Sequence, residues 1–260
     1  MSETEHDEVE HDEVVRQSFR RQVGLFSGPN SPFALRAPDA LAWIEPLRDD
    51  MIVLDVACGA AHASEPLAPR VRQVVGVDLT RELLVLAASR LCDNGITNVV
   101  LQEGNAEAMA FVDESFDIVF CRSSLHHFGD PARAVAEMVR VCRRGGRVVL
   151  ADLVAPDEAV RDRFDDVHRL LDPSHVRTYL ESELAEVLPG GIDALTYANT
   201  VTARLPIDIA ISEQSDTAGV DAMLRAEIDG SGSPTGFEPE LDGDTITVAF
   251  TTCVVHAARP

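Results

Sequence analysis

The sequence predicts an α/β fold: a doubly wound, mostly parallel sheet with helices on both faces. Three observations carry that expectation. Two short apolar runs, Val53-Leu54-Asp55-Val56 and Val74-Val75-Gly76-Val77-Asp78, each hold an acid at or near their carboxyl end. A turn of small residues, Ala57-Cys58-Gly59-Ala60-Ala61-His62, follows the first run. Apolar runs of strand length then alternate with amphipathic stretches as far as Leu153, the rhythm of right-handed β–α–β crossovers.

The elements follow in order. Met1 to Glu13 is acidic and polar and reads as a frayed, disordered tail, with one folded unit from residue 14 to 260. Asp12 to Gly24 has helical spacing, with Val14, Val15, Phe19 and Val23 near one face. Phe26 to Pro32 reads as a loop and Pro38 to Leu47 as a short helix. The first strand is Met51 to Val56, Ser64 to Leu67 opens a crossover helix, and the second strand is Gln73 to Asp78. Thr80 is placed to cap a helix from Arg81 to Cys92 whose Leu83, Leu84, Ala87 and Leu91 face inward. Val99 to Glu103 and Phe116 to Cys121 are the third and fourth strands. The helix Pro131 to Val141 stops at Arg143-Arg144-Gly145-Gly146, where glycine suits a left-handed cap and arginine the negative helix end. Arg147 to Leu153 is the fifth strand. Beyond it the rhythm breaks: Asp157 to Leu171 and Glu181 to Leu188 read as polar-faced helices, placed to cap the sheet edge over residues 154–190. Thr196 to Leu205 and Thr245 to His256 are strand-like, and Gly230 to Gly243 is a flexible connection.

Composition narrows the function classes. The net charge of −22 argues against a nucleic-acid partner, whose phosphates would be repelled, and against anionic membrane surfaces. Every cation is arginine, which reflects either genome composition or adaptation to high salt. No stretch approaches the roughly 18 uninterrupted apolar residues of a membrane helix, and the acidic start is no signal peptide. Five cysteines, none spaced Cys-x-x-Cys, point to neither disulfides nor zinc. They read as buried thiols of a reducing, cytoplasmic compartment. A small molecule is the expected partner, and the sequence leaves a monomer and a homodimer equally open.

The order strand, tight turn, helix, strand, acid builds a nucleotide pocket at the carboxyl edge of a parallel sheet, the second acid accepting from ribose hydroxyls. A dinucleotide site reads Gly-x-Gly-x-x-Gly so that pyrophosphate can reach a helix N-terminus. Here only Gly59 stands at the turn, and Asp55 inside it would repel pyrophosphate while suiting a cationic amino-acid group. Asp55-x-Ala57-x-Gly59-x-Ala61 resembles the first motif of class I S-adenosylmethionine (SAM)-dependent methyltransferases, with alanine at the first and third glycines and an unusual Ala61-His62. Three further segments match that family in order across roughly residues 50–155: Asp78-Leu79; Glu103-Gly104-Asn105-Ala106-Glu107; and Ser115–Val119 leading to Cys121–Phe128 and the Gly145-Gly146 turn. Leu125-His126-His127-Phe128 and the Gln17–Phe33 region resemble the ubiquinone/menaquinone-biosynthesis-type enzymes and their small-molecule relatives.

The resemblance implies a Rossmann-like seven-stranded sheet, its last strand antiparallel, with a helical cap after strand five. It implies SAM as cofactor, with Asp78 on the ribose and Leu79 on adenine. Asn105, with Ala106 beside it, would stand where related enzymes hold an acid for the adenine amino group, accepting through its carbonyl. Phe26 or Phe19 would fold over SAM. The segment Cys-Arg-Ser-Ser, in place of Asn/Asp-Pro-Pro-Tyr, speaks against methylation of nucleic-acid bases.

Methyl transfer from a sulfonium needs alignment and exclusion of water, and a base only where the nucleophile is protonated. His126 and His127, after the fourth strand, are candidates for that base, shaping of the pocket being the plainer role. His175, with His168 and Arg177, is placed to meet a polar or acidic substrate, or simply to hold a turn. No cluster has metal-ligand spacing. The function expected is methyl transfer to an O, N or C nucleophile of a small molecule. Two rivals remain: a quinone-ring C-methyltransferase, against which the charged 156–190 segment speaks, and a SAM-binding protein without chemistry.

Overall fold

The computed structural model describes residues 3–27, 31–35, 37–189 and 193–260, with side chains except at 3–8, 32, 35, 37, 38, 40 and 193–199. Three helices come first: α1 (Glu3–Arg21), α2 (Pro32–Leu35) and α3 (Ala37–Ile44). Strand β1 (Ile52–Val56) follows, then α4 (Ser64–Leu67), β2 (Gln73–Asp78), α5 (Arg81–Asp93), β3 (Val99–Glu103), β4 (Phe116–Arg122), α6 (Pro131–Val141) and β5 (Cys142–Leu153). The remainder is α7 (Glu158–Leu171), α8 (Glu181–Glu186), β6 (Asp193–Pro206), α9 (Thr217–Ile228), β7 (Glu240–Asp242) and β8 (Thr245–Ala258).

The strands form one sheet in the order β3-β2-β1-β4-β5-β8-β6, with short β7 hairpinned onto β8. The first five run parallel, and β8 lies antiparallel to both β5 and β6. The expected Rossmann-like sheet of seven strands is therefore present, and β7 adds an eighth. The order reverses at β1, whose neighbours are β2 and β4, so a crevice opens at the carboxyl ends of these strands.

Both faces of the central strands are buried, and their side chains sort by the two-residue period. Leu54, Val119, Cys121, Val148 and Leu150 pack toward α6 and α8, while Val53, Ile118, Phe120, Val149 and Ala151 pack toward α3 and α4. Helix α5 lies on β2 and β3 through Leu83, Leu84, Ala87 and Leu91, as its spacing predicts. A third cluster joins α7 and α9 to β8 around Phe164, Leu224, Phe237 and Val248.

Several expectations change in detail. Helix α1 begins at Glu3, so most of the segment expected to be a disordered tail over residues 1–13 is helix. Its acids do not leave it frayed because two residues are anchored: His11 Nε2 donates to the His127 carbonyl at 2.8 Å, and Asp12 accepts from Asn105 Nδ2 at 2.9 Å. Thr80 stands at the start of α5 without capping through its side chain; Asp78 Oδ1 takes its N–H instead. Gly145, at φ +73°, does not cap α6, because β5 already starts at Cys142 and the Arg143–Gly146 stretch is an irregularity within it. A Cβ at Gly146 would stand 2.7 Å from the Asp117 carbonyl oxygen, so this bend requires glycine. Helix α9 has no counterpart among the expected elements, although Asp216 caps it by accepting from Gly219 N–H. The loop expected at Phe26–Pro32 falls partly outside the described residues. Cys121, Cys142 and Cys253 are buried as expected; Cys58 is half-buried and Cys92 exposed. Among the described residues no helix is long and apolar enough to cross a membrane.

Candidate active site

One cavity of about 280 Å³ runs along the carboxyl edge of the sheet, from Asp78 at the end of β2 to Phe250 on β8. Asp55, Ala57, Gly59, Asp78, Leu79, Asn105, Ala106 and Phe26 line its first half, and His126, His127 and His175 line its second.

The turn after β1 explains the missing glycines. Ala57, Gly59 and Ala61 have φ of +53°, +53° and +57°, so every second residue is left-handed. Alanine there costs on the order of 1 kcal/mol relative to an unstrained backbone. The surroundings hold it: Ala61 is fully buried with Ala87 and Leu91, and Gly59 N–H donates to Asp78 Oδ2 at 2.7 Å. His62 ties the turn to the N-terminal segment by donating from Nε2 to the Phe26 carbonyl at 2.9 Å. Burial, with Arg90 nearby, pushes its imidazole down to about 4, so it is neutral. Phe26 stacks on Phe33 with centroids 4.1 Å apart and roofs Gly59. Phe19 packs edge-on to His127 at 4.9 Å.

Two buried carboxylates face this half. Each oxygen of Asp78 accepts one backbone N–H, from Thr80 and Gly59, which leaves each a second lone pair for a hydroxyl donor. Burial raises its pKa. Asp55 accepts from Ser64 Oγ at 2.6 Å, and burial lifts it to about 6 against the pull of Ser64 and Arg122. A cation bound beside it would draw that value back down. Asn105 lines the cavity, but its amide is committed: Nδ2 donates to Asp12 and Oδ1 accepts from Glu107 N–H. Asp12, an acid from the segment expected to be disordered, thus joins the wall.

The second half holds four imidazoles. His126 Nδ1 lies 2.5 Å from Asp152 Oδ1. Asp152, fully buried, also accepts from the N–H groups of Ser124, Leu125 and Leu153. Burial alone would push His126 down, but the Asp152 charge and hydrogen bond outweigh it, and the pKa is raised. Asp152 is held low, the His126 charge and four donors overcoming burial. With Nδ1 engaged, Nε2 is the nitrogen His126 offers to the cavity. His127 differs: burial and the neighbouring His126 push it far down, and its Nδ1 lies 3.1 Å from Ser174 Oγ. It lines the wall as a neutral imidazole. His175 Nε2 is 2.7 Å from Asp165 Oδ1, and burial pushes its imidazole down. Asp172 binds α1 to this loop, accepting from Ser18 and Gln22 at 2.6 Å each. Arg177 does not join the group; half-exposed, it pairs with Glu183 at 2.6 Å and lies outside the cavity lining. Among the described residues no set of His, Cys, Asp or Glu is arranged to hold a metal.

Sequence reading missed Asp152, Asp12, Asp165 and Asp172. Asp152 carried a usable signal: it is an acid at the carboxyl end of a central strand, as Asp55 and Asp78 are. Asp12 and Asp172 act on residues more than ninety positions away, and Asp165 sits within a polar-faced helix, so none of the three stood out.

A strand order that reverses at β1, an acid within β1, a small-residue turn after it and a buried acid at the end of β2 make up the class I SAM-binding methyltransferase architecture. The buried Asp78 and Asp55 carboxylates fit the ribose and the cationic amino acid of that cofactor. The chain belongs to the class I SAM-dependent methyltransferases. The family's methyltransferase domain matches residues 54–150. The uncharacterized protein YafE of Escherichia coli K12 is 33% identical over 144 residues, 55% of this chain and 69% of that protein. An uncharacterized methyltransferase, YcgJ of Bacillus subtilis, is 44% identical over 135 residues, so the match spans about half of each, 52%. The crystal structure of B. subtilis YcgJ superposes with a TM-score of 0.75 at 28% identity, covering 88% of this chain and 98% of that one.

Proposed function

We propose that the protein transfers the methyl group of SAM to a protonated nucleophile on a small molecule, with His126 as general base. The His126–Asp152 pair carries this reading. It stands where the cofactor half of the cavity meets the half lined by Leu153, Leu205 and Phe250. SAM, when bound, supplies a methyl group on a positively charged sulfur that leaves as a neutral thioether. The chain supplies the rest. Asp78 and the Ala57–Ala61 turn hold the cofactor, and α1 with Phe26 excludes water, which would otherwise compete for the methyl group. Asp152 fixes the His126 tautomer so that Nε2 accepts the acceptor's proton as its lone pair bonds to the methyl carbon. His127 and His175, both pushed down in pKa, shape the pocket. Helices α7 and α8 serve as the substrate cap, and the chain from α1 to residue 260 acts as one unit in a reducing, cytoplasmic compartment.

The acidic chain supports a small-molecule partner over nucleic acid. Incubation with SAM and a panel of phenols, alcohols and amines, following S-adenosylhomocysteine (SAH), tests the reading. Turnover should be lost in His126→Asn while SAM still binds. SAM binding without turnover on any acceptor favours the cofactor-binding protein without chemistry. No SAM binding overturns the proposal.

A further inference from the structure

Beyond His126 the cavity ends in a chamber with no assigned occupant. Its walls are apolar: Leu153 from β5, Leu205 from β6, Ile209 after it, and Phe250 from β8. Set into these walls are His168 and His175, whose rings stack 4.8 Å apart at 19° and are 7% and 5% exposed. His126 lies 5.6 Å from His175 and 6.3 Å from His168, centroid to centroid.

Nδ1 of His175 has no hydrogen-bond partner among the described residues, while His168 leans on the Phe164 carbonyl one helical turn back. A buried polar atom without a partner is costly, and buried groups of native proteins find one in protein, water or ligand. Such a nitrogen on a ring that lines the cavity, stacked on a second imidazole, marks a place where a ligand completes the bonding. The tautomer of His175 follows from its partner. Asp165 accepts at Nε2, so the neutral ring carries its proton there and offers Nδ1 as a bare acceptor.

We infer that this chamber is the acceptor subsite and that it takes an uncharged, hydroxyl-bearing acceptor on an apolar frame, its hydroxyls meeting His168 and His175. The inference rests on the methyl-transfer reading above. Charge selects the class. Burial, then the charges of His175 and His126, keeps His168 far below its ordinary pKa, and burial also lowers His175, so neither offers a cation to an acidic substrate, and the cation beside them, His126, is already paired with Asp152. Asp152, Asp165 and Asp172 stand behind the rings, and a substrate anion would add a further buried negative charge. An ammonium ion finds no free carboxylate. Asp152 is fully buried with four donors, Asp165 accepts from His175 and Thr178, and Asp172 accepts from Ser18, Gln22 and Ser174. A neutral hydroxyl needs neither countercharge and donates to an imidazole nitrogen, while the aliphatic and aromatic walls bury its frame.

The test is calorimetric titration of the SAH-saturated protein with three probes of similar size: catechol, benzylamine and benzoate. Catechol should bind at least tenfold more tightly than the other two. His168→Phe, which keeps the ring and removes the nitrogens, should weaken catechol at least tenfold and leave SAH affinity unchanged; His175→Phe should do the same. Tighter binding of benzylamine or benzoate, no binding of any probe at millimolar concentration, or variants that bind catechol as well as wild type overturn the inference. Failure of SAH to bind would sink the methyl-transfer reading and this inference with it, whereas SAH binding with the wrong probe order sinks this inference alone. The wild-type probe order decides even if a variant does not fold.

Discussion

Asp152→Asn is the most searching single substitution. Asp152 is fully buried, touches His126 Nδ1 at 2.5 Å and accepts backbone N–H groups from Ser124 at 2.9 Å, Leu125 at 2.6 Å and Leu153 at 2.7 Å. Asparagine keeps the shape but brings an NH₂ group into a site built from donors, so at least one N–H loses its acceptor. Breaking a buried pair of this kind costs about 3–5 kcal/mol, less where an isostere keeps some hydrogen bonds, so we expect about 3 kcal/mol near pH 6. For a chain of this size that lowers Tm by roughly 6–12 °C. The pH dependence is the sharper signature. The folded-state pKa of His126 is raised, so its contribution is fully present below the unfolded imidazole value of about 6.5 and is lost as pH rises through the folded value. Asp152 is lowered, so its contribution is present above about pH 4 and lost on acidification. The stability gap between wild type and variant should be widest between pH 5 and 6 and narrow toward pH 9. Each pKa unit by which the pair lifts His126 contributes about 1.4 kcal/mol to that gap. Urea unfolding of both proteins at pH 5.5, 7 and 9, with NMR titration of the His126 ring, measures it. A pH-independent gap, or a wild-type His126 that titrates at or below 6.5, refutes the reasoning.

Four further outcomes are expected. Asp78→Ala should weaken SAM binding at least tenfold by calorimetry, since it removes both free lone pairs and the acceptor of Gly59 N–H. Ala61→Val should destabilise by about 2 kcal/mol or more in urea unfolding, because a β-branched residue must take φ +57° in a fully buried site. Asp172→Ala should release α1 by removing the acceptor of Ser18 and Gln22, seen as faster limited proteolysis of α1. If activity follows His126 as base, its rate should rise with pH through a value above 6.5, and Asp152→Asn should move that limb to lower pH.

The sheet was readable because each central strand is buried on both faces and therefore written as a mostly apolar run, interrupted only by Asp55 in Val53–Val56 and by Asp117 in Phe116–Cys121. Acids at strand ends were readable as well, because a carboxylate closing an apolar run has few purposes other than binding. The alanines at 57 and 61 could be placed in a motif but not given a conformation. Alanine has no intrinsic preference for positive φ, and only the burial of Ala61 and the Asp78–Gly59 bond show what holds the turn. Asn105 looked free to bind and is engaged with a residue 93 positions away.

From its own sequence this protein's fold class, its family and several residues that line one end of the cavity were legible, since hydrophobic periodicity and strand-end acids are local patterns. Tertiary structure decided the rest. It made an acidic N-terminus into a helix docked through His11 and Asp12. It gave adjacent His126 and His127 opposite pKa shifts, because one meets the Asp152 carboxylate while the other is buried beside the charge of His126. It also gathered His168 and His175 against β6 and β8. The physical reason is that a charge state depends on the atoms within a few ångströms, and here those atoms come from residues tens to more than a hundred positions apart.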